Sequence, residues 1–91
     1  MNQVYRALSD PTRREILSLL RQRDMPAGEI ASRFELSWPT VSGHLKQLKE
    51  ADLIQADRHG TTIVYHLNVS VLEEAMLALM RAFKIGSEEE Q

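Results

Sequence analysis

A chain of 91 residues, 43% of them hydrophobic, is one domain of the size that leaves much of its surface exposed; only about 60 to 65% is buried on folding, so a partner subunit would help it. The absence of cysteine excludes disulfides, thiolate catalysis and cysteine metal sites. No apolar run approaches the ~18 residues that cross a bilayer, and Asn2 and Gln3 after Met1 do not read as a signal peptide, so a cytoplasmic protein without membrane insertion is expected.

The net charge of −2 argues against a strongly basic nucleic-acid binder, but the charge is unevenly spread. From Pro11 to Lys49, seven basic side chains stand against four acidic ones, a net of +3; the rest is acidic and ends in Glu88, Glu89 and Glu90. A local basic footprint on an acidic protein predicts weak, salt-sensitive non-specific binding to DNA.

Val4, Tyr5 and Leu8 place one sticky side on a short helix from Asn2 to Leu8, too short to stand alone. Asp10 is the N-cap and Pro11 the first residue of a second helix with Ile16, Leu17, Leu19 and Leu20 on its core face. Arg13 and Arg14 sit at the end of that helix where its dipole disfavours cations; they are either solvated, paired with nearby acids, or aimed at an external anion. Pro26 opens a third helix, Ala27 to Phe34, burying Ile30, Ala31 and Phe34.

Only Glu35 and Leu36 then separate that helix from Ser37, which caps a fourth helix running to Lys49. Leu36 is placed to pack on Val41, and Val41, Leu45 and Leu48 form the buried stripe. Thr40, Ser42, Gly43, Lys46 and Gln47 face outward. Hydroxyls, amides and a cation suit base edges in a major groove, although one such face in isolation reads more readily as an ordinary solvated face. Two short helices with a tight connection make a helix-turn-helix, and this context favours the groove.

After Ala51 the pattern changes to period two. Leu53, Ile54 and Ala56 form a strand, Asp57-Arg58-His59-Gly60 a turn, and Thr61 to Leu67 a second strand with Ile63, Tyr65 and Leu67 toward the core. A hairpin after a helix-turn-helix is a wing. Arg58, His59 and Thr61 at its tip reach phosphates or the minor groove, unless the arginine is a plain loop residue. Ser70 and Glu73 predict a capping box for a last helix running to about Ile85 and stopped by Gly86. Its seam of Leu72, Ala75, Met76, Leu79, Met80 and Phe83 is long for so small a domain. With Val4, Tyr5 and Leu8 it forms a candidate dimer interface, the alternative being a helix folded only on its own domain.

The expected fold is mainly α with a small β-hairpin, a winged helix-turn-helix in the order α-α-α-α-β-β-α, over residues 1–87, with 88–91 a disordered acidic tail. With these residues placed, the chain resembles the ArsR-type winged-helix repressors, most closely the cysteine-free SdpR-like branch. The resemblance is carried by Ala7 to Leu17, Ala27 to Ala31, Val41 to Leu48 and Tyr65-His66-Leu67. It implies a homodimer joined by its first and last helices that binds an inverted-repeat operator. Carried over by position, Trp38, Pro39, Thr40, Ser42, Gly43 and His44 face DNA and Arg58 is the wing contact.

Gly43 stands where many relatives have a long side chain, which implies close backbone approach. Trp38 either lies against DNA or packs on the buried stripe, and His44 makes either a structural hydrogen bond or a phosphate contact. His44, His59 and His66 fall on three elements without ligand spacing, so neither metal nor cofactor is expected. No nucleophile with its base, phosphate loop or carboxylate pair marks an enzyme. A DNA-binding repressor is therefore expected, released by a protein partner or by its own abundance; the competing reading is a winged-helix module that binds protein and no DNA.

Overall fold

The computed structural model describes residues 1–86; the acidic tail expected at 88–91 lies outside them. The elements run α1 (Asn2–Leu8), α2 (Pro11–Gln22), β1 (Met25–Pro26), α3 (Ala27–Ala31), α4 (Trp38–Glu50), β2 (Ile54–His59), β3 (Thr62–Leu67) and α5 (Val69–Ala82). A three-stranded antiparallel sheet in the order β1-β3-β2 closes one side of the helices.

The helix starts follow local chemistry. Asp10 takes the N-cap of α2 and its carboxylate accepts the Arg13 amide N–H at 3.0 Å, with Pro11 in the first turn. Ile16, Leu17, Leu19 and Leu20 of α2 meet Ile30 of α3 and Val41, Leu45 and Leu48 of α4 in one core, which Leu53 and Ile54 complete. The stripes expected on α2 and α4 are the ones buried.

Two helices end in the same way. At α4 the chain turns left-handed at Asp52 (φ 61°), the Leu53 N–H reaches the Leu48 carbonyl and the Asp52 N–H that of Lys49. At α5, Lys84 (φ 56°) takes the same position, with Ile85 bonded to Met80 and Lys84 to Arg81. These are Schellman closures without glycine. Gly86 therefore lies past the stop that it was expected to make, and α5 ends at Ala82 and not near Ile85.

Several further expectations are corrected. Pro26 does not open α3 from inside; it is the N-cap, and Met25–Pro26 pair with Tyr65 and Val64 as a third strand. A proline is tolerated there because β1 lies at the sheet edge. Helix α3 stops at Ala31 because the chain tightens into successive three-residue turns, Arg33 to Ile30 and Phe34 to Ala31, so five residues, and not two, separate it from Ser37. Asp57, Arg58 and His59 belong to β2, and the turn is the pair Gly60-Thr61 between His59 and Thr62. Gly60 supplies φ +66° at its first position, where a side chain is disfavoured.

Central strand β3 is half-buried from Ile63 to Leu67; Tyr65 and Leu67 reach the core but Ile63 does not. The capping box on α5 does not form. Asn68 is the N-cap, without a side-chain bond, and Ser70 lies inside the helix.

Candidate nucleic-acid interface

Ser37 starts α4 firmly: its Oγ accepts the Thr40 N–H at 3.4 Å and lies 2.9 Å from the Thr40 hydroxyl. Leu36, expected to pack on Val41, is instead 42% exposed, so entry to the helix rests on the cap and on Pro39. Ser37, Trp38, Pro39, Thr40, Gly43, Lys46 and Gln47 are all exposed, and Ser42 and His44 are half-buried beside them. Trp38 is 50% exposed, so it is a surface side chain and not a member of the core stripe.

His44 is tied down from inside. Its Nδ1 lies 3.3 Å from the Arg13 guanidinium and 3.9 Å from the Asp10 carboxylate. An arginine only donates, so Nδ1 accepts and the neutral ring carries its proton on Nε2. The longer Asp10 contact would need a proton on Nδ1, and the shorter Arg13 bond decides against it. The Arg13 amide N–H first, with the Arg13 guanidinium behind it, holds the Asp10 carboxyl below the usual carboxylate range against the opposing effect of burial.

Arg13 itself was misplaced by the sequence reading. It is buried, at 8% exposure, and donates Nε to the Ala7 carbonyl at 2.8 Å and a terminal nitrogen to that of Arg6 at 3.1 Å. Arg14 donates to the Leu8 carbonyl at 2.8 Å. The two arginines thus satisfy the Ala7 and Leu8 carbonyls at the end of α1, that of Arg6 being shared with the Ser9 amide and hydroxyl, and Arg13 in the same stroke joins α1 and α2 to α4. Arg23 and Arg33 both pair with Glu29, which holds that carboxyl low through Arg23 first.

Four of the seven basic residues between Pro11 and Lys49 are therefore engaged within the chain. The other three, Arg21 on α2 and Lys46 and Lys49 on α4, make no ion pair among the described residues and are exposed, as are Arg58 on β2 and His59 and Thr61 at the hairpin tip. The footprint is smaller than the charge count implied, and it concentrates on α4 and the wing. His44, His59 and His66 lie on separate elements; His66 contacts Gln55 and Asp57 across the hairpin. Among the described residues no group of three or more His, Asp or Glu is placed to hold a metal ion, and no helix is long and apolar enough to cross a membrane.

Residues 10–56 match the family model described as the arsR family of bacterial regulatory proteins, just over half of the chain. The transcriptional repressor SdpR of Bacillus subtilis is 50% identical over 76 residues, covering 84% of each chain. The arsenical resistance operon repressor of Staphylococcus xylosus is 34% identical over 73 residues, 80% of this chain and 70% of that one. Among solved structures, an ArsR-like transcriptional regulator from Rhodococcus sp. RHA1 superimposes with a TM-score of 0.81 at 31% identity, covering 91% of this chain and 78% of that one. A capped helix with a polar outer face, a wing behind it and these relatives lead to one conclusion: the chain belongs to the ArsR family of winged-helix, DNA-binding transcriptional regulators, which are not enzymes.

Proposed function

We propose that the protein is a homodimeric repressor acting on cytoplasmic DNA, which places two copies of α4 in successive major grooves of an inverted-repeat operator and blocks transcription by occupying the promoter. Half-sites one turn apart would set the two helices about 34 to 36 Å from each other. The outer face of α4 supports the contact: Thr40 and Gln47 offer donors and acceptors to base edges, Lys46 a cation for the backbone, Trp38 an apolar edge for a thymine methyl, and Ser42 a hydroxyl at the rim. Arg58, His59 and Thr61 on the wing would meet phosphates or the minor groove.

The observation that carries the dimer is on α5. Of its apolar residues Ala75 is fully buried, while Met76, Leu77, Leu79 and Met80 are exposed, as is Phe83 at its C-cap, at 70%. So much contiguous apolar surface on a small domain favours a partner copy. Leu72 is half-buried and Tyr5 and Leu8 pack against the core, so they would stand at the edge of the interface. Val4, at 7% exposure, is a core residue of its own chain and is withdrawn from it. The Tyr5 hydroxyl lies 3.5 Å from the Ala75 carbonyl and holds α1 against α5.

Sedimentation velocity at micromolar concentration tests the assembly. A species of twice 10.4 kDa is expected, and one of 10.4 kDa would contradict it.

A further inference from the structure

Gly43 lies in the middle of α4, where glycine costs roughly 1 kcal/mol relative to alanine. Among the described residues nothing requires it. Its φ is not positive, and an added Cβ would meet no atom within 4 Å. The missing side chain leaves the helix backbone open at this point to close approach from outside.

Beside Gly43 a cleft of about 400 Å³ runs between α4 and α1, lined by Gln3, Arg6, Gly43, Lys46, Gln47 and Glu50. Two cations and two amides there supply donors for an anion; Glu50 is the one acid. The Arg6 guanidinium makes no ion pair or side-chain hydrogen bond among the described residues, in contrast to Arg13, Arg14, Arg23 and Arg33. A seven-residue helix such as α1 is unstable alone, yet this one is locked. Its last carbonyls are held by Arg13, which also touches His44 of α4, so Arg6 is presented at a fixed place beside the recognition helix.

We propose that Arg6 on α1 belongs to the DNA interface: together with Lys46 it grips a backbone phosphate that enters the cleft left open by Gly43. This rests on DNA binding through α4. The phosphate contact positions the helix and carries no sequence information, so the effect of removing it is uniform across sequences.

The test is a fluorescence anisotropy titration of a random-sequence duplex at several salt concentrations. Arg6→Ala is expected to weaken binding about three- to tenfold and to flatten the salt dependence by about 0.9 per chain, whereas Arg6→Lys keeps the slope. Arg21→Ala removes the same charge from α2, in a groove formed with Leu8, Leu17 and Leu72, and is expected to leave the slope unchanged. Glu50→Gln should tighten binding. Because Arg6 is an exposed helical position, alanine there preserves the fold, which a thermal melt verifies. An Arg6→Ala slope equal to wild type overturns the proposal, as does an Arg21→Ala slope that falls equally. Wild-type protein that ignores duplex DNA overturns the reading of α4 as well, so the two failures are distinguishable.

Discussion

Helices α4 and α5 have 13 and 14 residues, each turns one side to the core, and each ends in a Schellman closure with a non-glycine residue in the left-handed position. They differ in what they show outward. α4 is capped by Ser37, buries Val41, Leu45 and Leu48, and presents Thr40, Gly43, Lys46 and Gln47. α5 has no side-chain cap, buries Ala75 alone, and presents Met76, Leu77, Leu79, Met80 and Phe83. A face of hydroxyls, amides and cations loses little in water and gains from a charged polymer; a face of thioethers and rings gains only from another apolar surface. The two helices are made for different partners: substitutions on α4 should leave assembly untouched, whereas losing the α5 contact should separate the two copies of α4 and weaken binding to an inverted-repeat operator.

The largest separation is expected from Phe83→Glu. A carboxylate pressed into an apolar interface costs about 3 kcal/mol, roughly a hundredfold in dimer dissociation, while the fold of the single chain is unaffected because Phe83 touches little of it. Sedimentation reads the first and a thermal melt the second; unchanged assembly would remove α5 from the interface. Next comes Arg13→Ala, which strips donors from the Arg6 and Ala7 carbonyls and from His44. A loss of about 2 to 3 kcal/mol in urea denaturation is expected, and a loss near zero would mean that α1 is held by other contacts.

Gly43→Ala should move two quantities in opposite directions. Stability rises by about 0.5 to 1 kcal/mol, since the added Cβ has open space, while DNA affinity falls because the close approach is blocked. Equal affinity would leave the glycine unexplained. The smallest effect concerns acid. The Asp10 carboxyl lies below its ordinary 3.8 in the folded chain, so its stabilisation is complete above that value and is lost as pH falls through the lower folded one. Asp10→Asn, which keeps a capping oxygen but not the charge, should flatten this acid limb of a stability profile by lowering stability slightly at neutral pH and leaving it nearly unchanged below the folded value.

The same contrast marks what was legible beforehand. Asp10 and Ser37 cap because a short side-chain oxygen before an apolar-periodic run acts on its own helix, a signal contained in a few residues. The buried stripes of α2 and α4 were readable for the same reason, as was the outer face of α4. Strand β1 was not, because two residues including a proline carry no alternation; they are strand only because β3 offers an edge. Ser70 and Glu73 have the spacing of a capping box, yet the chain enters α5 earlier, at Asn68, whose N–H bonds the Leu53 carbonyl.

Arg13 looked solvated or anion-seeking because the carbonyls that it satisfies come from another helix. Arg6 drew no notice for the corresponding reason: it becomes a neighbour of Gly43 only when α1 docks beside α4. Position within one element was legible, and juxtaposition between elements was not.

The central claim is that the outer face of α4 is a DNA surface, and Lys46 is its most direct probe, being exposed, cationic and without an ion pair among the described residues. The measurement is the affinity of wild type and Lys46→Ala for a duplex between about 50 and 200 mM salt. The account predicts that wild type binds with a steep salt dependence and that Lys46→Ala binds more weakly with a slope reduced by about 0.9 per chain. Equal affinities and equal slopes for the two proteins would contradict it.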